Sequence, residues 1–241
     1  MEPTRYVFDV GNSRTKVGKF QGRRLLEVFD LADPVAMTSR LAAGIPAIIS
    51  SVRTIDELAT IAALPQVMQL NFETPVPISL DYLTKETLGK DRIAGAVGAV
   101  TEFPGENCVI IDAGTCVNYD FVDASGVFRG GAISPGWNMR LHAMHVGTAG
   151  LPDISQYYDQ ITSRFPGKST AECLRQGVEL GISYEVQGFI DQLKEEHEGL
   201  RVILTGGDGQ RFESFVKGPI FARPEIVLIG LNRILEYNEV V

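Results

Sequence analysis

Two short segments, Asp9-Val10-Gly11-Asn12-Ser13 and Asp112-Ala113-Gly114-Thr115-Cys116, each place an Asp at the end of an apolar run and follow it with a Gly-containing turn. Such a turn exposes backbone N–H donors, and a small hydroxyl beside it adds another; these are the groups that hold phosphate oxygens. The Asp supplies an oxygen ligand for a hard cation, which phosphate chemistry requires. Either Asp alone is explained as a turn cap. Two, each within strand, turn, strand, point to an internal duplication with a ligand cleft between the halves. A third acid, Asp91, opens an Ala/Gly-rich segment, where a helix N-terminus favours a carboxylate. Its neighbour Arg92 can hold a carboxylate or phosphate oxygen while Asp91 meets a hydroxyl.

These residues need a scaffold, and the composition allows one. The chain has 241 residues, 44% hydrophobic and 22% charged, and a formal net charge of −8. That is a globular composition with enough length for a core. The acidic balance disfavours a nucleic-acid surface, which needs a basic footprint. The longest uncharged run, Leu58 to Phe72, is interrupted by Pro65 and is too short to span a bilayer. The N-terminus carries no signal-peptide pattern, and Cys108, Cys116 and Cys173 form neither an even set nor a C-x-x-C pair. A cytoplasmic protein without disulfides or structural zinc is expected.

Periodicity predicts strands at 6–10, 15–20, 22–29 and 47–52, and helices at 34–43, 55–64 and 90–102. The pattern restarts with strands at 108–112 and 116–122 and a third ending near Gly130-Gly131. Helices follow at about 135–145 and 169–198, then a strand at 202–205 and a helix at 224–237. The division falls near Phe103-Pro104-Gly105, giving halves 1–105 and 106–241. His142 and His145 sit three apart on one predicted helix but lack a third metal ligand in view. Trp137 fits either a cleft lining or the core. Gly206-Gly207-Asp208-Gly209 suits close approach of an adenine or ribose. Cys116 is expected to pack.

The ordered set of motifs resembles the type III pantothenate kinases, of the actin-like ATPase and sugar-kinase superfamily. The matching pieces are Asp9 to Lys16, Gly89-Lys90-Asp91-Arg92, Ile111 to Thr115, Gly130-Gly131-Ala132-Ile133-Ser134-Pro135-Gly136, Thr148 to Pro152, and Gly206-Gly207. The resemblance implies an α/β fold of two duplicated actin-like (ribonuclease H-like) domains, each a mixed sheet flanked by helices, with a nucleotide cleft between the halves. It implies phosphorylation of pantothenate by ATP, the first step towards coenzyme A. The implied ATP-binding residues are Asp9, Val10, Gly11, Asn12, Ser13, Arg14, Thr15, Lys16 and Thr115. Pantothenate contacts are implied at Tyr82, Gly89, Lys90, Asp91, Arg92 and Thr170, with Asp91 as catalytic base. Asp112 is implied as ligand of a monovalent cation, K⁺ or NH₄⁺, with Mg²⁺ accompanying ATP. A homodimer is implied too, with neither nucleic acid nor membrane as partner.

The second phosphate motif departs from the family's Gly-Thr-Ala-x-Thr-x-Asp, having Cys116 for Ala and Asn118 for Thr before Asp120. Two other readings stay open at this point. A non-catalytic relative acting in transcription is disfavoured by the intact Asp9, Asp91, Arg92 and Asp112. An actin-like kinase for another small acceptor, such as a sugar, is disfavoured by Tyr82 and the Gly89–Arg92 motif.

Overall fold

The computed structural model describes residues 2–11, 14–41, 44–51, 59–160 and 164–240. The strands are β1 (Thr4–Val10), β2 (Thr15–Gln21), β3 (Arg24–Asp30), β4 (Ala47–Ser51), β5 (Val67–Gln69), β6 (Ser79–Leu80), β7 (Cys108–Ala113), β8 (Cys116–Val122), β9 (Val127–Pro135), β10 (Arg201–Thr205) and β11 (Phe221–Ala222). The helices are α1 (Pro34–Leu41), α2 (Ala59–Ala62), α3 (Lys90–Glu102), α4 (Trp137–Val146), α5 (Thr170–Glu196), α6 (Gly209–Glu213) and α7 (Ile226–Val240). Of the helix predicted over 55–64, residues 55–58 lie outside the described residues. The elements that periodicity does not announce, β5, β6, α6 and β11, are all five residues or shorter. They are too short to show a period.

Strand β9 corrects one expectation. It runs on to Pro135 instead of stopping at Gly130-Gly131. Gly130 takes φ +92° beside the Tyr82 ring, so the glycine bends a continuing strand.

One sheet has the order β3-β2-β1-β4-β5, and the other β11-β10-β7-β8-β9-β6. From its β9 strand towards β11, the second sheet repeats the order of the first. In the first sheet, β1 pairs antiparallel with β2 and parallel with β4, so the sheet is mixed. The chain divides into two compact units: Met1–Cys108 with Asp120–Gly130 and Glu225–Val241, and Val109–Tyr119 with Gly131–Pro224. The outer end of the β8–β9 hairpin and all of α7 thus fold with the first unit.

In the first unit, alternation along β1 sends Tyr6, Phe8 and Val10 to one face, where they pack with Met37 and Leu41 of α1 and Ile61 of α2. Arg5, Val7 and Asp9 share the other face, which α7 covers. There Arg5 Nε donates to Glu239 Oε2 at 2.9 Å, and Leu228 lies over Gly18 with Val7. The core of the second unit gathers Val109, Ile111 and Val117 of its sheet around Trp137, Leu141, Val178, Ile182 and Ile190 of its helices. No described helix is long and apolar enough to cross a membrane.

Helices α3 and α7 touch backbone to backbone. A Cβ on Gly230 would lie 1.8 Å from the Ala94 carbonyl oxygen, and one on Gly98 would lie 2.1 Å from that of Ile226. Alanine normally favours a helix over glycine by about 1 kcal/mol. Here the contact leaves no room for it, and overpacking costs about 1–3 kcal/mol. Gly98→Ala and Gly230→Ala should therefore each lower the unfolding free energy in urea. A stability gain in either variant would contradict this packing.

Candidate active site

In the first unit the site forms where β1, β4 and α3 end or begin. Asp9 stands opposite Lys16 on β2 and beside Ser50 on β4. The turn after β1 is closed by the Gly11 amide donating to the Arg14 carbonyl at 3.0 Å. Asn12 and Ser13 lie outside the described residues. Burial, reinforced by the negative charge of Asp91, raises the Asp9 carboxyl to about 6, against the pull of Lys16 and Arg14. The structure therefore brings the acid of the first turn and the acid of the Gly-Lys-Asp-Arg motif into electrostatic contact.

Each residue of that motif has a different task. Gly89 caps α3, and a Cβ there would sit 2.6 Å from Asp91 Oδ1. Lys90 Nζ donates to the Ser51 carbonyl at 3.2 Å, tying α3 to the end of β4. Asp91 is half-buried in the first turn of α3, with Oδ1 accepting from the Arg92 amide at 2.9 Å. Arg92 is buried, and its guanidinium carbon lies 5.9 Å from the Tyr82 ring centroid and 5.7 Å from that of Phe128. Arg92 Nε and Nη2 donate to Asp120 Oδ1 at 2.9 and 2.5 Å. Burial would lower the Arg92 pKa, but the bonds to Asp120 outweigh it and raise the pKa. Burial lifts Asp120 to about 6 in spite of Arg92. Asp120 is the residue that motif reasoning left without a role. Its signal was its place as the last residue of the second phosphate motif.

The second unit holds the other turn. Asp112 is the last residue but one of β7, and the Gly114 amide donates to the Cys116 carbonyl at 2.9 Å, leaving Thr115 exposed at the tip. Two glycines press on this turn. A Cβ on Gly136, the N-cap of α4, would lie 2.2 Å from the Gly114 oxygen. One on Gly206 (φ +92°) would lie 2.2 Å from the Ala113 oxygen and 2.5 Å from Asp112 Oδ1. The Gly206-Gly207 signal thus has a structural cause, a strand end that seats the backbone against Asp112. Glu185 of α5 accepts from Tyr119 at 2.8 Å, Ser134 at 2.5 Å and Arg140 at 2.6 Å. Arg140 Nε also donates to the Pro135 carbonyl at 2.7 Å, which fixes the approach to Gly136. Thr170 is exposed at the first position of α5, where Ser169 caps the helix by accepting from Glu172 N.

Other candidates resolve simply. Trp137 is a core residue, stacked on Phe215. His142 lies 3.5 Å from Asp153, and His145 Nδ1 is 2.7 Å from the Leu151 carbonyl. Among the described residues no three His, Cys, Asp or Glu side chains gather as a metal site.

A model of the type III pantothenate kinase family matches residues 6–192. The chain belongs to that family. It is 41% identical over 234 residues to the type III pantothenate kinase of Cytophaga hutchinsonii, covering 96% of this chain and 98% of that one. To the type III pantothenate kinase of Bacteroides fragilis it is 41% identical over 241 residues, with coverages of 96% and 97%. Among solved structures it is similar to a conserved protein of the Baf family of transcriptional activators from Campylobacter jejuni, with TM-score 0.62, 20% identity, and 98% and 100% of the two chains covered. It is also similar to the inorganic polyphosphate/ATP-glucomannokinase of Arthrobacter sp. strain KM, with TM-score 0.51, 14% identity, and coverages of 98% and 100%. At those identities the likeness concerns the fold alone, an α/β fold of mixed sheets flanked by helices.

In this type III pantothenate kinase family member the Asp9 carboxylate has a measurable cost. Its folded pKa is raised from 3.8 to about 6, so the protonated form is favoured in the folded state. The stability this contributes is complete below about pH 4 and is lost as pH rises through about 6. Without nucleotide or metal, Asp9→Asn should melt a few degrees above the parent chain at pH 8, and the gain should vanish near pH 4. A gain independent of pH would mean that the Asp9 charge is not its source.

Proposed function

We propose that the chain transfers the γ-phosphoryl group of ATP to the primary hydroxyl of pantothenate, in a duplicated pair of actin-like domains. Family membership supports the reaction. The observation that carries the assignment of residues is the convergence of Asp9, Asp91 and the buried Arg92 in one unit. Phosphoryl transfer asks a protein chiefly for alignment and charge compensation. The first turn, Asp9 to Lys16, and Thr115 of the second serve the nucleotide phosphates. Thr115 stands at a turn that α4 meets with its N-terminus, the helix end that favours anions. Asp91 serves the acceptor hydroxyl, and Arg92, with Tyr82 and Gly89 around it, an acceptor oxygen. Mg²⁺ would be held through Asp9 and K⁺ or NH₄⁺ through Asp112; both would neutralise phosphate charge.

A homodimer belongs to the same reading. Leu141, within the apolar stretch 141–151, is buried in the core of its own unit. Exposed large apolar residues of the second unit include Ile133, Met139, Val146 and Tyr184, on β9, α4 and α5. They suit a second copy, and Thr170 stands exposed at the start of α5. Sedimentation at micromolar concentration reads the oligomeric state directly.

The assay that tests the function measures ATP consumption with pantothenate or a panel of sugars, in potassium and in sodium at equal ionic strength. Turnover should require pantothenate and be faster in potassium, and Asp112→Ala should lose the potassium response. No pantothenate-dependent turnover in potassium would sink the proposal.

Asp91 is where the mechanism is most exposed. A primary alcohol is a poor nucleophile until it is aligned and its proton has an acceptor. Asp91→Asn keeps the shape and removes the basicity, so kcat should fall by roughly 10²–10⁴ while ATP binding changes little. In single-turnover reactions at saturating substrates, a loss of only about tenfold would assign alignment to Asp91 in place of proton transfer. A parent-like rate would leave Asp91 as a helix cap.

A further inference from the structure

We infer that Asp120 is a positioning residue for the acceptor: it sets the orientation in which the Arg92 guanidinium meets pantothenate. The inference rests on the substrate reading above and adds a residue to it. Arg92 carries five N–H donors in one plane. Two of them, on Nε and Nη2, end on the single oxygen Oδ1 of Asp120. This fixes the edge of the plane, and the Tyr82 and Phe128 rings, 6.0 Å from each other, both lie to one side of it at 5.9 and 5.7 Å. The side chains of Arg92 and Asp120 are 6% and 4% exposed, so water does little to hold either.

Burial of this kind makes sense for orientation more than for stability. A buried ion pair gains little over an apolar pair of the same volume, because both charges must be desolvated. What it does supply is a guanidinium with one edge committed and the other left over. Asp91, the adjacent carboxylate, acts electrostatically on Asp120 and is the nearest competitor for Arg92 in the motif. By engaging Arg92, Asp120 keeps that charge off the residue proposed to accept the substrate proton. Without Asp120, the guanidinium would turn towards Asp91 or solvent, and displacements of about 1 Å near a reacting group can cost about a hundredfold.

The test compares the parent chain with Asp120→Asn, Asp120→Glu, Arg92→Lys and the double variant Asp120→Asn/Arg92→Lys, each checked for cooperative melting. Asp120→Asn should raise the KM for pantothenate about tenfold or more and leave the KM for ATP within about twofold. Asp120→Glu keeps the charge on a longer arm and should give a smaller rise of the same kind. It is the chain to read if the Asn variant does not fold. The double variant should lie within about threefold of Arg92→Lys alone, because both changes remove one arrangement. An unchanged pantothenate KM in a folded variant, an equal rise in both KM values, or losses that multiply in the double variant would each overturn the inference. If the parent chain itself shows no pantothenate-dependent turnover, the substrate reading fails and the inference falls with it. A parent active on pantothenate with an indifferent Asp120 overturns the inference alone.

Discussion

The contact between α3 and α7 governs the first unit. Two glycines let the helices meet at the backbone, Gly230 against Ala94 and Gly98 against Ile226. α7 also lies on β1, so one helix fixes both the strand that carries Asp9 near its end and the helix that carries Asp91 in its first turn. Its own far end is tied down by Arg5 bonding to Glu239 and by the Asn232 side-chain amide donating to the Gly22 carbonyl at 3.0 Å. The distance between two acids far apart in sequence is therefore set by apolar packing, with no bond between the acids themselves. Close-packed interiors do not give way gradually, which is what a site needing sub-ångström placement requires.

The carboxylates of the two units differ in how far their neighbours commit them. Glu185 is half-buried, yet three donors from Ser134, Arg140 and Tyr119 overcome the effect of burial and hold its pKa below the usual value. It ties α5 to β8, β9 and α4. Asp9 has the reverse character: burial and Asp91 raise it, and the cations opposite do not restore it. A folded chain tolerates such a group where function requires an uncommitted charge. Asp120 stands between these cases, raised by burial but committed to a cation.

The long elements were legible because their periods were long. α3 and β8 match their predicted limits, and α5 begins one residue after Ser169, whose side chain caps it. What the sequence could not show is which distant surfaces meet. Nothing in residues 226–240 announces that they pack on residues 4–10 and 90–102, since a glycine for close approach looks like any helix glycine. Glycine misled in the other direction at Gly130-Gly131, where a bend in β9 looked like its end. In the site, the motif acids were visible as residue types at strand and helix ends. The partner of Arg92 was not, because a buried pair 28 residues apart leaves no spacing rule to follow.

The Gly89–Arg92 motif gains its meaning from this arrangement. Taken singly, an Asp after a Gly is a common helix start. In the structure Gly89 is small because Asp91 folds back over it, and Lys90 anchors the helix to the end of β4. Arg92 points inward to Asp120 beside the Tyr82 and Phe128 rings. Three of the four residues are therefore committed to neighbours, and the charge of Asp91 acts on Asp9. An Asp that merely capped a helix would need none of these neighbours. Four constraints on four consecutive positions also explain why this tetrapeptide is a more specific signal than either Asp-x-Gly turn, whose geometry asks only for one glycine and one acid.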